Sequence, residues 1–422
     1  MAQLKTYDNG LRVCVETIPS VRSVSAGIWV GVGSRNEDVV NNGLSHYIEH
    51  MMFKGTEKMG PYEIARSFED LGAHINAFTS KEATCYYLKI TDKFVKKGFS
   101  LLCDIFYNSI FPSDEMEKEK KVVIEEINMG EDSPEDICSD LISSAIFGSE
   151  GLGKTIIGTK ENVENFTIND IKKHLLKYYV SHNTVISFAG NITMADVDEM
   201  INEYVLPKYN SSEFSEVTNL KQEYNSSSYC FRFKDFEQSN LAFAYRGVSS
   251  TSEDYYNQAV LSVLFGGGMS SRLFQEIRER KGLAYSVYSA GVSYSDVGYF
   301  GIFCNNSLNN TEKVTLAVSA EVKKLLNFGF ENGEIERAKV QLISSLVFSQ
   351  ERVETIMLTN GKWLLNKNNK DAFDINKRIL GIEKTTDDSV MEFAKNLFSN
   401  DYVCASYVGK EMKSDLLNMF KN

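Results

Sequence analysis

Two imidazoles and a carboxylate fall within one short segment, His46-Tyr47-Ile48-Glu49-His50. In an α-helix, residues four apart lie on the same face, so His46 and His50 could both bind one metal ion. Glu49 lies beside them, where its carboxylate could reach a metal-activated water rather than the metal. The H-x-x-E-H order is the inverted zincin motif. It predicts a zinc site with Glu49 as the general base, the alternative being two structural histidines on an ordinary helix.

Catalytic zinc usually takes three protein ligands and leaves a fourth position for water, so another segment must supply a ligand. The charged run E-K-E-K-K-V-V-I-E-E-I-N-M carries Glu119, Glu125 and Glu126. Glu119 and Glu126 are seven residues apart, which is two turns along one helix face. We predict that Glu126 binds the metal and that Glu119 supports the ligands. Glu125 remains the alternative ligand, although it is expected to be a solvated neighbour.

These side chains need regular elements to hold them. Apolar periodicity predicts a helix over residues 43–53 and a charged helix over about 113–129, ending before Gly130. Runs of β-branched and aromatic residues predict strands over 23–33, 77–90 and 183–192.

The second half of the chain repeats the first in outline. Four stretches align in the same order: 26–37 with 242–253, 51–56 with 263–268, the helix from Ser113 with the run from Asn332, and 183–190 with 402–409. We therefore predict two copies of one α+β domain, each a mainly antiparallel β-sheet packed with α-helices. A polar stretch after Pro207 suits a linker, which gives domains at 1–207 and 229–422 with a linker at 208–228.

The repeat also predicts how many metal sites there are. On this alignment, the metal motif of the first copy falls opposite Gln258, Leu261 and Ser262. None of these three side chains is a usual zinc ligand. We expect one zinc ion per chain, bound by the first domain.

Composition excludes several classes of protein. A net charge of −12 with no basic stripe argues against nucleic acid as a partner. No stretch approaches the roughly 18 apolar residues that a membrane helix needs, so no membrane association is expected. Seven cysteines without a C-x-x-C pair are typical of free thiols, and we expect a cytoplasmic protein.

With these residues in place, the chain resembles the pitrilysin or insulinase family of zinc metallopeptidases, particularly short members similar to the mitochondrial processing peptidase. The resemblance covers nearly the whole chain. It places the family's third metal ligand on Glu126 and its supporting glutamate on Glu119. It implies a zinc-dependent endopeptidase that hydrolyses unfolded or extended peptides.

The resemblance also implies substrate-binding residues. Asn76, Ala77 and Phe78 would lie on an edge strand that pairs with the substrate backbone. Arg278 and Tyr285 match the family's arginine-tyrosine segment and would anchor substrate and stabilise the oxyanion. Without the resemblance, Arg278 would be interpreted as a solvated helix charge and Tyr285 as a core aromatic.

Members of this family enclose their site between two halves, so we expect a homodimer, or a heterodimer with a related subunit, that acts on peptides. One alternative is a non-catalytic subunit that depends on an active partner, which the intact motif argues against. Another is a zinc hydrolase of small molecules, which the edge-strand segment disfavours.

Overall fold

The computed structural model describes residues 2–209, 221–366, 369, 373–398 and 402–421. Residues 210–220 of the predicted linker therefore lie outside the described residues. Among the helices that are described, none combines the length and the apolar character needed to cross a membrane.

The strands are β1 (Gln3–Thr6), β2 (Arg12–Thr17), β3 (Ser23–Val30), β4 (His74–Thr79), β5 (Thr84–Thr91), β6 (Thr184–Gly190), β7 (Tyr229–Phe233), β8 (Gln238–Gly247), β9 (Ala284–Ser293), β10 (Gly298–Ser307) and β11 (Cys404–Gly409). The α-helices are α1 (Leu44–Met51), α2 (Pro61–Glu69), α3 (Val95–Tyr107), α4 (Ser113–Glu131), α5 (Pro134–Phe147), α6 (Lys160–Asn165), α7 (Ile168–Tyr178), α8 (Met194–Met200), α9 (Tyr255–Gly266), α10 (Thr311–Phe328), α11 (Glu334–Ser349), α12 (Val353–Leu365), α13 (Ile375–Glu383), α14 (Asp387–Phe398) and α15 (Leu416–Lys421).

The first sheet has the strand order β1-β2-β6-β3-β5-β4. Its neighbouring strands are antiparallel except for β2 and β6, which run parallel. β3 lies inside the sheet, and seven of its eight residues are buried. One face packs against apolar side chains of α1, α2 and α3, including Phe99, whose ring centroid lies 4.9 Å from that of Phe188 on β6. β4 is left as an edge strand.

The second sheet has the order β7-β11-β8-β10-β9, again with one parallel pair, β7 and β11. Strand for strand this repeats the first sheet without β1, so that β8 corresponds to β3 and β9 to β4. The predicted fold class, two related α+β domains with mainly antiparallel sheets, is confirmed.

The two compact units are discontinuous in sequence, unlike the spans 1–207 and 229–422 expected from composition. The first comprises Met1–Ile127, Thr155–Leu220 and Phe348–Asp374, and the second comprises Asn128–Lys154, Lys221–Val347 and Ile375–Asn422. Each unit therefore takes one helix from the opposite half of the sequence: α12 belongs to the first unit and α5 to the second. The sequence pattern shows that these helices have an apolar face but not which sheet covers it.

Small residues allow α12 to approach the first sheet closely. A Cβ on Gly361 would lie 2.1 Å from Nε1 of Trp29, and one on Gly27 would lie 2.5 Å from Sδ of Met357. Ser187 of β6 adds a hydrogen bond from Oγ to the Met357 carbonyl at 2.9 Å. α12 thus covers the face of the sheet opposite α1.

Two predicted elements differ from the structure. The single strand expected over 77–90 is a hairpin of β4 and β5, because Ser80 Oγ closes a turn by donating to the Ala83 carbonyl and accepting from the Ala83 N–H. α4 continues through Gly130, since one glycine costs a helix only about 1 kcal/mol. It ends before Pro134, where Ser133 Oγ caps α5 by accepting from the Asp136 N–H.

Candidate metal and catalytic centre

A buried carboxylate fixes the first turn of α1. Glu37 accepts hydrogen bonds from the Gly43 N–H at 2.8 Å and the Ser45 N–H at 2.6 Å, which would otherwise be unpaired at a helix N-terminus. Gly43 has φ 98°, and a Cβ there would lie 2.5 Å from the Ile157 carbonyl oxygen. Burial raises the pKa of Glu37, and the hydrogen bonds offset this only in part.

The polar face of α1 meets α4 at His46, His50 and Glu126. One ligand atom from each of these residues lies within 4.8 Å of the others, and no other such group occurs among the described residues. Oε2 of Glu126 lies 3.7 Å from Nε2 of His46 and 3.4 Å from Nε2 of His50. Tyr47 anchors the buried face by donating its hydroxyl hydrogen to the Met116 carbonyl at 2.8 Å. The sequence-predicted ligands therefore converge.

Glu119 contacts His50 but is not one of the three residues whose ligand atoms converge. It is 4 % exposed, and its Oε1 lies 2.9 Å from Nδ1 of His50. An ionised carboxylate can only accept, so His50 carries its hydrogen on Nδ1 and keeps Nε2 for a metal. Lys54 Nζ lies 2.7 Å from the other Glu119 oxygen. Burial raises the pKa of Glu119, but the contacts with His50 and Lys54 lower it more.

The two histidines differ in their surroundings. Burial, with a smaller effect from His50, lowers the pKa of His46 to about 4. Burial also lowers the pKa of His50, but the Glu119 hydrogen bond and nearby carboxylates raise it more. Nδ1 of His46 is buried without a hydrogen-bond partner.

These atoms fit a zinc ion. The donor set is two imidazole nitrogens and one carboxylate oxygen, which is typical of catalytic zinc. His46 is neutral near pH 7, as a ligand must be. His50 is oriented through its other ring nitrogen, as metal-binding histidines usually are.

Glu49 is held separately from the three converging atoms. Its Oε2 accepts a hydrogen bond from Oγ1 of Thr79, the last residue of β4, at 2.6 Å. Burial raises the pKa of Glu49 and Glu126 adds to the increase, while the Thr79 hydrogen bond and His50 oppose it. A carboxylate that has a raised pKa and lies next to candidate metal ligands is suited to act as a general base.

β4 presents an open edge beside these residues. The Ala77 N–H donates to Oδ1 of Asn76 at 2.8 Å, so it faces the open edge instead of bonding to β5. Ala77 faces the α1 side of the sheet, whereas the Phe78 ring lies on the α12 side, 5.5 Å from Trp29. A cavity of about 310 Å³ lies here, lined by Glu49, His50, Phe53, Lys54, Ile75, Asn76, Ala77 and Glu119.

Arg278 and Tyr285 lie in the second unit, whereas the three candidate metal ligands belong to the first. The Arg278 guanidinium lies 5.3 Å from the centroid of the Tyr285 ring and 4.7 Å from that of Phe274. Tyr285 is 75 % exposed, so it is not a core aromatic. Arg278 lies in a π-helical segment, Phe274–Arg280.

In the second unit, Gln258 occupies the position that aligns with His46. It is buried, with Oε1 accepting from the Val248 N–H and Nε2 donating to Ser293 Oγ. Gln258 thus links Val248, the residue after β8, to Ser293 of β9.

Sequence patterns gave no sign of Glu37, Lys54 or Thr79. Thr79 could have been found from strand alternation, because it lies two residues after Ala77 and so points to the same face. Glu37 and Lys54 depend on contacts that no local spacing reveals. Glu125 is exposed on α4, and His74 is exposed on β4.

Comparison with known proteins gives the family. Residues 12–160 match the family model described as insulinase (peptidase family M16), and residues 165–342 match the peptidase M16 inactive domain. The uncharacterized zinc protease YmxG of Bacillus subtilis is 38% identical over 419 residues, covering 96% of this chain and 98% of that protein. The chain belongs to peptidase family M16. Another relative is the uncharacterized zinc protease SCO5738 of Streptomyces coelicolor, 33% identical over 85% of this chain and 79% of its own.

Solved structures show the same M16 fold. A protease from Helicobacter pylori aligns with a TM-score of 0.91 at 21% identity, over 97% of this chain and 99% of that chain. An M16 inactive-domain protein from Pseudomonas fluorescens aligns with a TM-score of 0.89 at 18% identity, over 98% and 99%. The family models and the similarity to YmxG confirm the predicted resemblance to the insulinase family.

Proposed function

We propose that this M16 protein is a zinc-dependent endopeptidase that hydrolyses unfolded or extended peptides. The main support for the proposal is that His46, His50 and Glu126 converge beside Glu49. The Glu49 carboxylate is not one of the three candidate metal ligands and is held by Thr79 instead. A site built only to hold a structural metal has no need of this fourth group, and it is usually closed by four protein ligands.

His46, His50 and Glu126 would hold one Zn²⁺ per chain. When bound, zinc supplies a Lewis acid that polarises the scissile carbonyl and acidifies the attacking water. Glu119 orients His50 through Nδ1, and Lys54 holds Glu119 in turn. These contacts keep Nε2 of His50 aimed at the site before any metal arrives.

Glu49 moves the proton. Thr79 occupies Oε2, so Oε1 is the oxygen that takes a proton from the attacking water. The same oxygen then returns the proton to the leaving amide nitrogen, which makes that nitrogen a neutral amine as the bond breaks.

The edge of β4 supports extended peptides as substrates. Outward-facing backbone groups near Ala77 can pair with a peptide backbone, with Asn76 and Phe78 on the same strand. Pairing of this kind needs a free backbone, which folded proteins rarely offer. The 310 Å³ cavity beside β4 would receive a substrate side chain.

Arg278 and Tyr285 belong to the second unit, and we propose that a second copy of the chain, or a related subunit, supplies them to the site. Mixing inactive Glu49→Gln chains with inactive Tyr285→Phe chains should then restore activity, since a mixed dimer has one site with every group intact. Failure to recover activity in verified mixed dimers, or full activity in a monomer, would contradict this arrangement.

The proposed activity is tested with a denatured, carboxymethylated protein and the same protein in its native fold. The zinc-loaded enzyme should cut the denatured form at internal bonds, read by mass spectrometry, and leave the native form intact. Chelation should stop cleavage and added zinc should restore it. Metal-loaded protein that cuts neither the denatured protein nor a library of quenched peptides would overturn the proposal.

A further inference from the structure

Thr79 connects β4, the proposed substrate-binding strand, with Glu49 on α1. It is the last residue of β4 and pairs with Thr84 of β5 in the antiparallel register. Strand alternation places its side chain on the same face as Ile75 and Ala77, toward α1. From there Oγ1 reaches Glu49, which is 30 residues away in sequence.

We propose that Thr79 is a positioning residue for Glu49, which fixes the general base to the strand that binds substrate. The inference rests on the proposed function. Thr79 acts on the reaction only through Glu49.

A single hydroxyl can do this because of what it donates to. The bond from Thr79 Oγ1 to Glu49 Oε2 measures 2.6 Å, within the range of O–H···O bonds to carboxylates, which are about twice as strong as neutral ones. Glutamate otherwise has three rotatable side-chain bonds, so an unheld Glu49 would sample several positions. Thr79 is β-branched and therefore stiff at χ1.

Thr79 has a single hydroxyl hydrogen, which determines whether it affects substrate binding or turnover. A hydroxyl has one hydrogen, and that of Thr79 is donated to Glu49. It is therefore not available to donate to a substrate carbonyl. Loss of the hydroxyl should slow turnover and leave substrate binding nearly unchanged, which is the pattern of an interaction needed in the transition state.

Thr79 lies on the same strand that is proposed to bind the substrate. Ala77, whose N–H faces the open edge, lies two residues before Thr79 on the same strand. A peptide that pairs with this edge would be held by the strand that also holds the base. Glu49 itself belongs to α1, so the hydrogen bond from Thr79 would tie its carboxylate to the strand that holds the scissile bond. Small misplacements of a catalytic group cost large factors in rate.

The test compares Thr79→Val, Thr79→Ala and Thr79→Ser. Valine keeps the shape and alanine removes the side chain beyond Cβ, while serine keeps the hydroxyl. We expect kcat to fall about 10- to 100-fold in Thr79→Val and Thr79→Ala, with KM within about twofold and zinc content unchanged. Thr79→Ser should stay within about threefold of wild type.

Thr84→Val is the matched control. Thr84 lies opposite Thr79 and donates its hydroxyl hydrogen to the Val32 carbonyl at 2.9 Å, without touching Glu49. It should leave kcat unchanged even if it lowers the melting temperature. Equal losses of kcat in Thr79→Val and Thr84→Val, or full kcat in Thr79→Val, would overturn the inference alone. A wild-type protein with no zinc-dependent hydrolysis would overturn the proposed function, and the inference with it.

Discussion

Nδ1 of His50 lies 2.9 Å from Oε1 of Glu119, and Lys54 Nζ lies 2.7 Å from the other Glu119 oxygen. A buried carboxylate is thus held between an imidazole and an ammonium group. The arrangement fixes the ring of His50 and leaves Nε2 toward Glu126. Glu119 is therefore expected to control how tightly the metal binds without touching it.

Glu119→Gln tests that role. The amide retains the shape of the side chain but loses the charge that holds Lys54 and His50. Zinc affinity should fall about 10- to 100-fold, as is usual when the group behind a metal-binding histidine is replaced. Competition with a fluorescent chelator measures the affinity. Glu125→Gln, an exposed change on the same helix, is the control, and equal losses in the two variants would contradict the assignment.

Substitution of Glu126 and of Glu125 distinguishes the two candidates for the third metal ligand. Glu126→Ala should reduce the zinc content, because only His46 and His50 would remain, whereas Glu125→Ala should bind zinc like wild type. Elemental analysis of protein dialysed against a weak chelator gives the occupancy. Full zinc in Glu126→Ala together with depletion in Glu125→Ala would move the ligand to the neighbouring residue.

His174 predicts how stability depends on pH. Burial, with a smaller effect from Lys177, lowers the pKa of His174 to about 3, whereas a histidine in an unfolded chain titrates near 6.5. Below about pH 6.5 only the unfolded chain takes up this proton, so His174 destabilises the fold as the pH falls. The cost at pH 5.5 is about 1 kcal/mol, and it is nearly absent at pH 7.5.

His174→Gln removes this contribution. Its free energy of unfolding should therefore fall by about 1 kcal/mol less than that of wild type between pH 7.5 and 5.5. Urea unfolding of both proteins at the two pH values measures the difference. Identical decreases would show that His174 does not remain neutral in the fold.

Gly361 tests the packing of α12 on the first sheet. A methyl group there would meet Nε1 of Trp29 at 2.1 Å, so Gly361→Ala should destabilise the protein by about 1–3 kcal/mol. Gly130→Ala is the matched control, because Gly130 lies within α4 and a methyl group added to it would have nothing within 4 Å. It should raise stability by up to about 1 kcal/mol. Thermal unfolding that shows both variants stabilised would contradict the packing.

Local spacing predicted more of this protein than might be expected from one sequence. The separation of His46 and His50 predicted a shared helix face, and the seven-residue step from Glu119 to Glu126 predicted a second one. Both pairs lie on helices that meet in the first unit. The repeat of alternating and periodic segments predicted the fold class, because each copy has to bury the same faces.

What the sequence did not reveal depends on contacts between distant segments. Alternation within the predicted strand 77–90 gives the face of Thr79, but the hairpin that makes it the last residue of β4 and its contact with Glu49 were not predicted. In the sequence, Glu37 is only an acidic residue in a loop. Its role depends on the hydrogen bonds that it accepts from two N–H groups at the start of α1. The exchange of α5 and α12 between the units follows from which sheet face each helix fits, as Gly361 against Trp29 shows.

Glu49 is proposed to serve as the base and to take no part in holding the metal. The most direct test is Glu49→Gln, measured for zinc content and for single-turnover cleavage of a quenched peptide in the same preparation. We predict wild-type zinc occupancy with a rate lower by at least about 100-fold, because the amide cannot take the proton. A Glu49→Gln protein that cleaves at the wild-type rate, or that loses its zinc, would contradict it.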